Sequence, residues 1–329
     1  MGSEMCIRDR YNQGYTKTLP IDLHIDLGNH CNLACKMCDA KASSTIASQQ
    51  VRWGIETSRQ YLGTDWTKDQ AVWERFLHQL LEIPQLKNIH FMGGETLLSR
   101  RLEQLVDFFI KHERYEVCFS FVTNGTIYPH ALMTKMSRFA RLGIEISIET
   151  MTKHNEYQRQ GTDHDHVMRN IQSFRQWDNG KNITVTLRTA PSILSVGRYY
   201  TLLDYAVRNQ MVIKSNFCYS PSFMRAELLP EDIKRLYLDR LNAWAASVDW
   251  PEGSDRDFNA SDPHNVLLIV QNQLDMIRSC LTRPQPADSE NHLRQLVEHC
   301  KRWDEIYNLN ARELYPEFGL ILDRYEYDL

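Results

Sequence analysis

Residues 21–40 read IDLHIDLGNHCNLACKMCDA, and this stretch decides the fold. Its first seven residues alternate apolar and polar side chains, as a half-buried β-strand does. Three cysteines, Cys31, Cys35 and Cys38, follow directly in a C-x-x-x-C-x-x-C pattern. Parallel βα units carry their functional loops at the carboxyl ends of their strands, so this loop predicts a metal site on the rim of a parallel sheet.

Five more β-rich runs follow, separated by longer amphipathic helical patterns, which is typical of parallel βα units. The six strand candidates are IDLHIDL from Ile21, KNIHFM from Lys87, VCFSFVT from Val117, GIEISIE from Gly143, ITVTLRT from Ile183 and VIKSNFCY from Val212. After Pro230 the strand patterns end and helical patterns continue. The sequence therefore predicts an α/β fold: a partial, open (β/α)6 parallel barrel with a helical C-terminal extension.

The chain divides into three predicted parts. Residues 1–17 fit no periodic pattern, and their start, MGSEMCIRDR, resembles a leader added in cloning or sequence assembly. We expect residues 18–225 to form the barrel and residues 226–329 to form a helical cap. Two helical patterns between residues 43 and 82 predict an inserted helix in the first crossover.

The composition is that of an ordinary globular protein, with 42% hydrophobic and 24% charged residues. A formal net charge of -4 gives no global electrostatic reason to expect nucleic-acid binding. No run approaches the roughly 20 apolar residues that span a bilayer, and the N-terminus has no apolar secretion segment. We therefore expect a cytoplasmic protein that binds no membrane, and the eight cysteines are too few for a disulfide scaffold.

The chemistry of the cysteine loop favours an iron-sulfur cluster. Three thiolates on one short loop can each bind a different iron of a cubane four-iron cluster, which leaves the fourth iron without a protein ligand. A bidentate amino acid, such as the methionine moiety of S-adenosylmethionine (SAM), can chelate that iron through its amino and carboxylate groups. The alternatives are a chance grouping or a zinc site, but zinc prefers four ligands and His30 adjoins Cys31 too closely to close a tetrahedron.

The loop resembles the signature of the radical SAM superfamily, in which a bulky apolar residue precedes the third cysteine. Met37 takes that place, and the resemblance implies that it lies against the adenine of SAM. It also implies one 4Fe-4S cluster held by Cys31, Cys35 and Cys38, and an electron donor such as flavodoxin or ferredoxin. Electron transfer from the cluster would cleave SAM to a 5'-deoxyadenosyl radical, which would abstract a hydrogen atom from a substrate.

The next two strands end in further family-like motifs. FMGGETLL contains Gly93, Gly94 and Glu95, which resemble the GGE motif that contacts the SAM amino group. Glu95 could instead cap the following helix. Thr123 and Asn124, in TNGT, would supply hydrogen-bonding groups at the same rim, unless this segment is a polar turn.

The fourth unit supplies three more candidate SAM contacts. Ser147 and Glu149 share a strand face and resemble the polar pair that contacts the ribose, although most relatives carry Asp-Gly where this chain has Glu149 and Thr150. Arg159 stands where the family has an arginine near the SAM carboxylate; an exposed arginine at a helix end is the alternative. Arg188 and Thr189, at the end of the fifth strand, could face SAM or the substrate.

The remaining cysteines do not predict a second cluster. Some family members carry a twitch or SPASM domain with auxiliary clusters, and the YSPSFMRAELLPEDIK and ELYPEF segments are similar to twitch-type radical SAM proteins. Cys218, Cys280 and Cys300 are widely spaced and include no C-x-x-C pair, so we expect one cluster and a cluster-free cap.

The motifs leave the substrate open. A peptide or protein side chain, or a small metabolite or nucleotide precursor, would fit a radical SAM enzyme, and nucleic acid is disfavoured by the acidic charge balance. A non-catalytic iron-sulfur or zinc module is the alternative from another class of protein. No residue can be assigned to the chemistry that follows hydrogen abstraction.

Overall fold

Six parallel strands form one sheet in a computed structural model that describes residues 19–63, 65–250 and 263–327. The predicted leader, residues 1–17, lies outside the described residues. The strands of this sheet, in spatial order, are β1 (Asp22–Asp26), β3 (Asn88–Met92), β4 (Cys118–Thr123), β5 (Arg141–Ser147), β7 (Ile183–Thr189) and β8 (Val212–Ser215). All six predicted strands are present, which confirms the α/β fold.

The sheet is open. Every neighbouring pair is parallel, and within the described residues β1 and β8 lie at the two edges without pairing to each other. Side chains alternate across it as the period of two requires. Phe91 and Phe121 are buried on one face, whereas His90, Ser120 and Lys214 lie on the other. Because all six strands are parallel, their carboxyl ends lie along one edge of the sheet.

In the part of the chain that the structure describes, seven helices connect or flank these strands. They are α1 (Ser44–Arg52), α2 (Gln70–Leu81), α3 (Arg100–Lys111), α4 (His130–Met136), α5 (His154–Gln158), α6 (His164–Arg175) and α7 (Tyr200–Asn209). The sequence of α3 illustrates why they pack on the sheet: Leu102, Leu105, Val106 and Phe109 recur at helical spacing and are all fully buried. The first crossover holds both α1 and α2, as the two helical patterns there predicted.

The C-terminal region is helical. Its helices are α8 (Glu231–Ala245), α9 (Pro263–Leu281), α10 (Ser289–Tyr307), α11 (Ala311–Leu314) and α12 (Gly319–Arg324). Short 3-10 helices lie at Glu56–Tyr61, Trp66–Lys68, Thr96–Leu98, Val196–Arg198, Ser222–Met224, Ala226–Leu228 and Pro316–Phe318. Where the structure describes the chain, no helix combines the length and the apolar character needed to cross a membrane.

A two-stranded ribbon was not predicted. Strand β2 (Ala34–Cys35) pairs antiparallel with β6 (Arg159–Gln160), which places Cys35 opposite Arg159. The ribbon joins the cysteine loop to the segment that follows β5. It therefore brings two predicted site elements together above the carboxyl edge of the sheet.

The barrel and the C-terminal helices share one hydrophobic core. The ring of Tyr237, on α8, packs directly against Gly197, where a Cβ atom would lie 2.3 Å from the ring. Helix α9 contacts both α7 and β8. The C-terminal helices are thus packed onto the barrel rather than tethered to it.

Candidate functional site

The three cysteines of the loop after β1 line one small cavity at the carboxyl edge of the sheet. Cys35 is buried, and Cys31 and Cys38 are half-buried. The cavity has a volume of about 180 Å³. Its other lining residues include most of the predicted site: Gly93, Gly94, Thr123, Asn124, Ser147, Arg159 and Arg188.

Hydroxyl groups at the start of α1 hold the backbone of the loop. Thr45 Oγ1 donates to the Cys31 carbonyl at 2.7 Å, and Ser43 Oγ donates to the Leu33 carbonyl at 2.8 Å. The Cys31 amide donates to Ser44 Oγ at 3.3 Å. We did not predict these contacts, although a serine before a helical pattern is a recognisable start signal and Ser43 caps α1.

The surroundings of the cysteines set their protonation. Burial raises the pKa of the Cys31 thiol to about 11. The hydrogen bond from Cys35 lowers the pKa of Cys38, and the positive charge of Arg159 acts in the same direction. Arg159 Nη1 lies 3.8 Å from Cys35 Sγ. The hydrogen bond to Cys38 and burial nevertheless raise the pKa of Cys35, and the guanidinium, which favours the metal-binding thiolate, opposes that shift only in part.

Among the described residues, no three His, Cys, Asp or Glu side chains are grouped to hold one ion. A cubane cluster needs a wider arrangement, because each thiolate binds its own iron atom. Three thiol side chains around one cavity, with Arg159 beside them, are the type of ligand that a cubane iron-sulfur cluster requires.

Gly93 and Gly94 touch the backbone of the cysteine loop. The Gly94 amide donates to the Gly28 carbonyl at 2.9 Å. A Cβ atom on Gly94 would lie 2.3 Å from the His30 carbonyl oxygen, and one on Gly93 would lie 2.5 Å from the Gly28 carbonyl oxygen. Gly93 also has a φ of +119°, which side chains rarely adopt. Both glycines are therefore required by the close approach of the loop, whatever they bind.

Glu95 connects the second and third strand ends. Its carboxylate accepts from Leu97 N at 3.1 Å, from Thr123 Oγ1 at 2.7 Å and from Asn124 N at 2.6 Å. Glu95 is buried, and this burial raises the pKa of its carboxyl group despite the three donors. The side chain caps the 3-10 helix at Thr96–Leu98, so the structure matches the capping alternative.

Asn124 reaches back to the cysteine loop. Its Nδ2 donates to Asn32 Oδ1 at 2.9 Å and lies 4.0 Å from Cys31 Sγ. Asn32 in turn donates to Thr126 Oγ1 at 2.9 Å. The TNGT segment is therefore a polar turn, and one that faces the first cysteine.

Glu149 and Arg159 form a buried ion pair. Arg159 Nη2 and Nε donate to Glu149 Oε1 at 2.8 Å and 3.2 Å. Glu149 Oε2 accepts from Thr189 Oγ1 at 2.9 Å and from the Ala190 amide at 2.8 Å. Both carboxylate oxygens are thus bonded within the protein, which leaves Ser147 as the member of the predicted ribose pair that lines the cavity.

Two further candidates differ in position. Arg188 lines the cavity and is bonded to Glu145, which also accepts from Lys214 Nζ at 2.8 Å. Met37 is half-buried and packs against the main hydrophobic core. Met37 is not one of the described residues that line the cavity. Its contact with adenine therefore stays a prediction.

The other described cysteines lie in separate surroundings. Cys118 is half-buried on β4, and Cys218 donates to the Ser220 carbonyl. Cys280 is buried near Arg283 at the end of α9. Cys300 is buried beside Tyr157.

The family follows from a match to a family model. Residues 25–189, half of the chain, match the model of the radical SAM superfamily. The matched segment contains the cysteine loop, the two glycines and Arg159. The chain therefore belongs to the radical SAM superfamily of enzymes, whose members use a 4Fe-4S cluster and SAM.

Several solved structures are similar to the chain over most of its length. The chain resembles anSMEcpe with bound AdoMet and Kp18Cys peptide, with a TM-score of 0.50 and 16% identity over 69% of this chain and 61% of that one. It also matches SuiB of Streptococcus suis bound to S-adenosylmethionine (TM-score 0.43, 15% identity, 70% of this chain and 45% of that one). A third match is TYW1 with a lysine-pyruvate adduct (TM-score 0.37, 12% identity, 73% and 78%).

These similarities are partial. The chain spans about three fifths of the length of the anSMEcpe chains that it matches. No curated protein sequence matches it significantly. At 16% identity the match to the anSMEcpe complex supports the fold alone.

Proposed function

We propose that the protein is a radical SAM enzyme that acts on a peptide or protein side chain. When bound, a 4Fe-4S cluster and SAM would supply a 5'-deoxyadenosyl radical, which abstracts a hydrogen atom from that substrate. The observation that carries the proposal is the single cavity that Cys31, Cys35 and Cys38 share with Gly94 and Arg159.

The residues of the cavity would divide the work of binding. Cys31, Cys35 and Cys38 would hold three irons. The backbone carbonyl groups of Gly93 and Gly94, which carry no side chains of their own, would accept from the SAM ammonium group. Arg159 would attract the SAM carboxylate through Nη1, since its Nη2 and Nε are bonded to Glu149.

The open rim at the carboxyl ends of the strands supports a peptide as the substrate class. Met92 ends β3 and is 42% exposed, and Tyr219 follows β8 and is 61% exposed. A peptide also occupies the solved anSMEcpe complex, which has the same fold. An open rim with exposed large apolar side chains can admit a polymer segment that an enclosed metabolite pocket would exclude.

The proposal extends to the parts of the chain and to its partners. Residues 18–225 would form the barrel, and residues 226–329 would form a cap over part of its opening. A protein such as flavodoxin or ferredoxin would deliver the electron. A peptide bound across the open rim would itself exclude water and protect the radical from side reactions.

Anaerobic reconstitution tests the cofactor part of the proposal. The protein is incubated with iron and sulfide, then with SAM and dithionite, while 5'-deoxyadenosine and iron per chain are measured. We expect about four irons per chain and formation of 5'-deoxyadenosine. Zinc in place of iron, or a cluster that never cleaves SAM, would instead indicate a binding module.

A pair of cysteine variants provides the control. Cys35→Ala removes a loop thiol and is expected to abolish cluster binding, whereas Cys118→Ala removes a half-buried thiol of β4 and is expected to retain it. Both variants are expected to fold. Unfolding of Cys35→Ala alone would show that the loop cysteines are structural.

Deuterium transfer tests the substrate class. A cell extract labelled with deuterium is added to the reconstituted enzyme, and deuterium in 5'-deoxyadenosine is measured by mass spectrometry. We expect transfer that exhaustive protease digestion of the extract removes. Transfer that survives digestion would show that a small metabolite is the substrate.

A further inference from the structure

A buried ion pair joins the cysteine loop to the C-terminal region. Lys36 lies between the predicted ligands Cys35 and Cys38, and its Nζ is 3.8 Å from Oδ1 of Asp304 on α10. Both side chains are 0% exposed. Neither Lys36 Nζ nor Asp304 Oδ1 has a hydrogen-bond partner among the described residues.

The other oxygen of Asp304 is heavily bonded. Asp304 Oδ2 accepts from the Ala311 amide at 2.7 Å, from the Tyr157 hydroxyl at 3.2 Å and from the Tyr327 hydroxyl. The ring of Tyr157 also lies 4.1 Å from Lys36 Nζ. One carboxylate thus connects the cysteine loop, α5 and two segments at the C-terminal end of the described chain.

The same pair touches both segments that frame the cluster cavity. The Lys36 amide donates to the Gln158 carbonyl at 2.8 Å, one residue before Arg159. The neighbour of Asp304, Trp303, is buried against Ala34 and Ile46 on the back of the loop. The geometry of the loop therefore depends on α10.

Stability alone does not account for this pair. Two charges removed from water lose hydration that their attraction restores only with good geometry, and the 3.8 Å separation is too long for a hydrogen bond. Removing one partner leaves the other charge buried without compensation.

We infer that Asp304 is a positioning residue for the cluster. Through Lys36 and Tyr157 it fixes the turn between Cys35 and Cys38 against the segment that carries Arg159. The inference rests on the proposed cluster site and makes the C-terminal region part of that site.

Cluster retention in charge variants tests the inference. Reconstituted wild type, Asp304→Asn, Lys36→Met and the double variant are challenged with an iron chelator, and the loss of cluster absorbance is timed. We expect Asp304→Asn to lose its cluster about tenfold faster than wild type, as is common when groups that orient metal ligands are changed. The spectrum of its dithionite-reduced cluster in electron paramagnetic resonance is expected to shift.

The double variant separates the effect of an unpaired buried charge from the effect of a changed side-chain volume. Because Met and Asn restore a neutral pair of similar volume, we expect the double variant to recover most of the retention. If Asp304→Asn does not fold, Lys36→Met serves instead, since it leaves Asp304 bonded to Ala311 and two hydroxyls. It is also expected to lose its cluster faster than wild type.

Glu317→Gln is the matched control. Glu317 is a half-buried residue of the same C-terminal region, and its carboxylate accepts from Tyr237, Arg198 and Arg240, none of which belongs to the cysteine loop. We expect it to lower thermal stability while leaving cluster loss and the resonance spectrum unchanged. Equal behaviour of Asp304→Asn and Glu317→Gln would overturn the inference, whereas a wild type that assembles no cluster would overturn the proposed function as well.

Discussion

Single residues at the cysteine loop are held by contacts that leave no room for another carbon atom. Gly94 is the clearest case, since its amide and its missing side chain both face the backbone at Gly28 and His30. The sequence predicts a SAM contact for the GGE pattern, and this contact stays a prediction. Its steric role could not be predicted, because the approach of two backbones depends on tertiary packing.

Substitution of Gly94 by alanine tests this contact. Because the new Cβ would lie 2.3 Å from the His30 carbonyl oxygen, Gly94→Ala is expected to displace the loop. We expect a loss of about 1–3 kcal/mol in the free energy of unfolding of the apo-protein. Chemical denaturation measures it, together with a lower iron content after reconstitution.

Gly319→Ala serves as the control for that substitution. Gly319 begins α12, has a helical φ of -47°, and no atom lies within 4 Å of the position its Cβ would take. We expect it to be neutral or slightly stabilising, since alanine is the better helix former. Equal stability of the two alanine variants would contradict the steric role of Gly94.

Arg159 and Glu149 illustrate a second limit of prediction at this scale. Both residues are predicted SAM contacts by their position in the sequence. Their mutual ion pair was not predicted, since nothing in the local sequence indicates that the two side chains pair. The Arg159 side chain is 12% exposed and that of Glu149 is 0% exposed. Each charge is therefore held in place by the other.

Removal of one partner is expected to be costly. Arg159→Met leaves the Glu149 carboxylate buried without its cation, and we expect a loss of about 3–5 kcal/mol in the free energy of unfolding. Urea denaturation of the apo-protein measures this loss. Because Glu149→Gln removes the stranded charge, its combination with Arg159→Met is expected to recover much of it. No recovery in the double variant would argue against a charge effect.

Among the elements, the six strands were predictable and the ribbon was not. Each strand has several residues of alternating or β-branched character, and such patterns are local. Strands β2 and β6 have two residues each, too few to show a period. Their pairing depends on how the segment after β5 folds back over the cysteine loop.

Three adjacent strands share a charged group that makes stability depend on pH. Glu145 on β5 accepts from Arg188 on β7 and from Lys214 on β8. Burial alone would raise the pKa of Glu145, but the two cationic donors hold it below its ordinary value. A carboxyl group with a lowered folded-state pKa stabilises the fold above the unfolded-state value and loses this contribution as pH falls.

Acid titration tests this dependence. Below about pH 5, we expect the melting temperature of the wild type to fall more steeply than that of Glu145→Gln. Only in the wild type does residue 145 take up a proton on unfolding, so only there does acid favour the unfolded state through this residue. Glu103→Gln alters an exposed carboxylate paired with Lys135 and is expected to keep the wild-type slope. Parallel curves for all three proteins would refute the role of Glu145.

For the whole molecule, the shared core argues against an independent barrel. Tyr237 occupies the space beside Gly197, and Val270 and Leu274 of α9 are buried in the same core as the sheet. Helical patterns after Pro230 predicted the elements of this region. The surface on which they pack could not be predicted, since periodicity gives the buried face of a helix but not its partner.

Deletion of residues 226–329 tests this dependence. We expect the shortened chain to lose cooperative unfolding and to expose apolar surface, because β8 and α7 would lose the cover of α9. Circular dichroism melting and dye binding measure both effects. A monomeric product with a sharp transition would show that the barrel is a separate folding unit.

The hydroxyl groups of Ser43, Ser44 and Thr45 hold the backbone of the cysteine loop through hydrogen bonds from the protein itself. A cluster bound by this loop would therefore order little additional backbone, so the conformational entropy lost on binding would be small. We expect amides 31–45 to exchange with deuterium at similar rates before and after reconstitution. Loss and repair of the cluster could then proceed repeatedly within one folded chain.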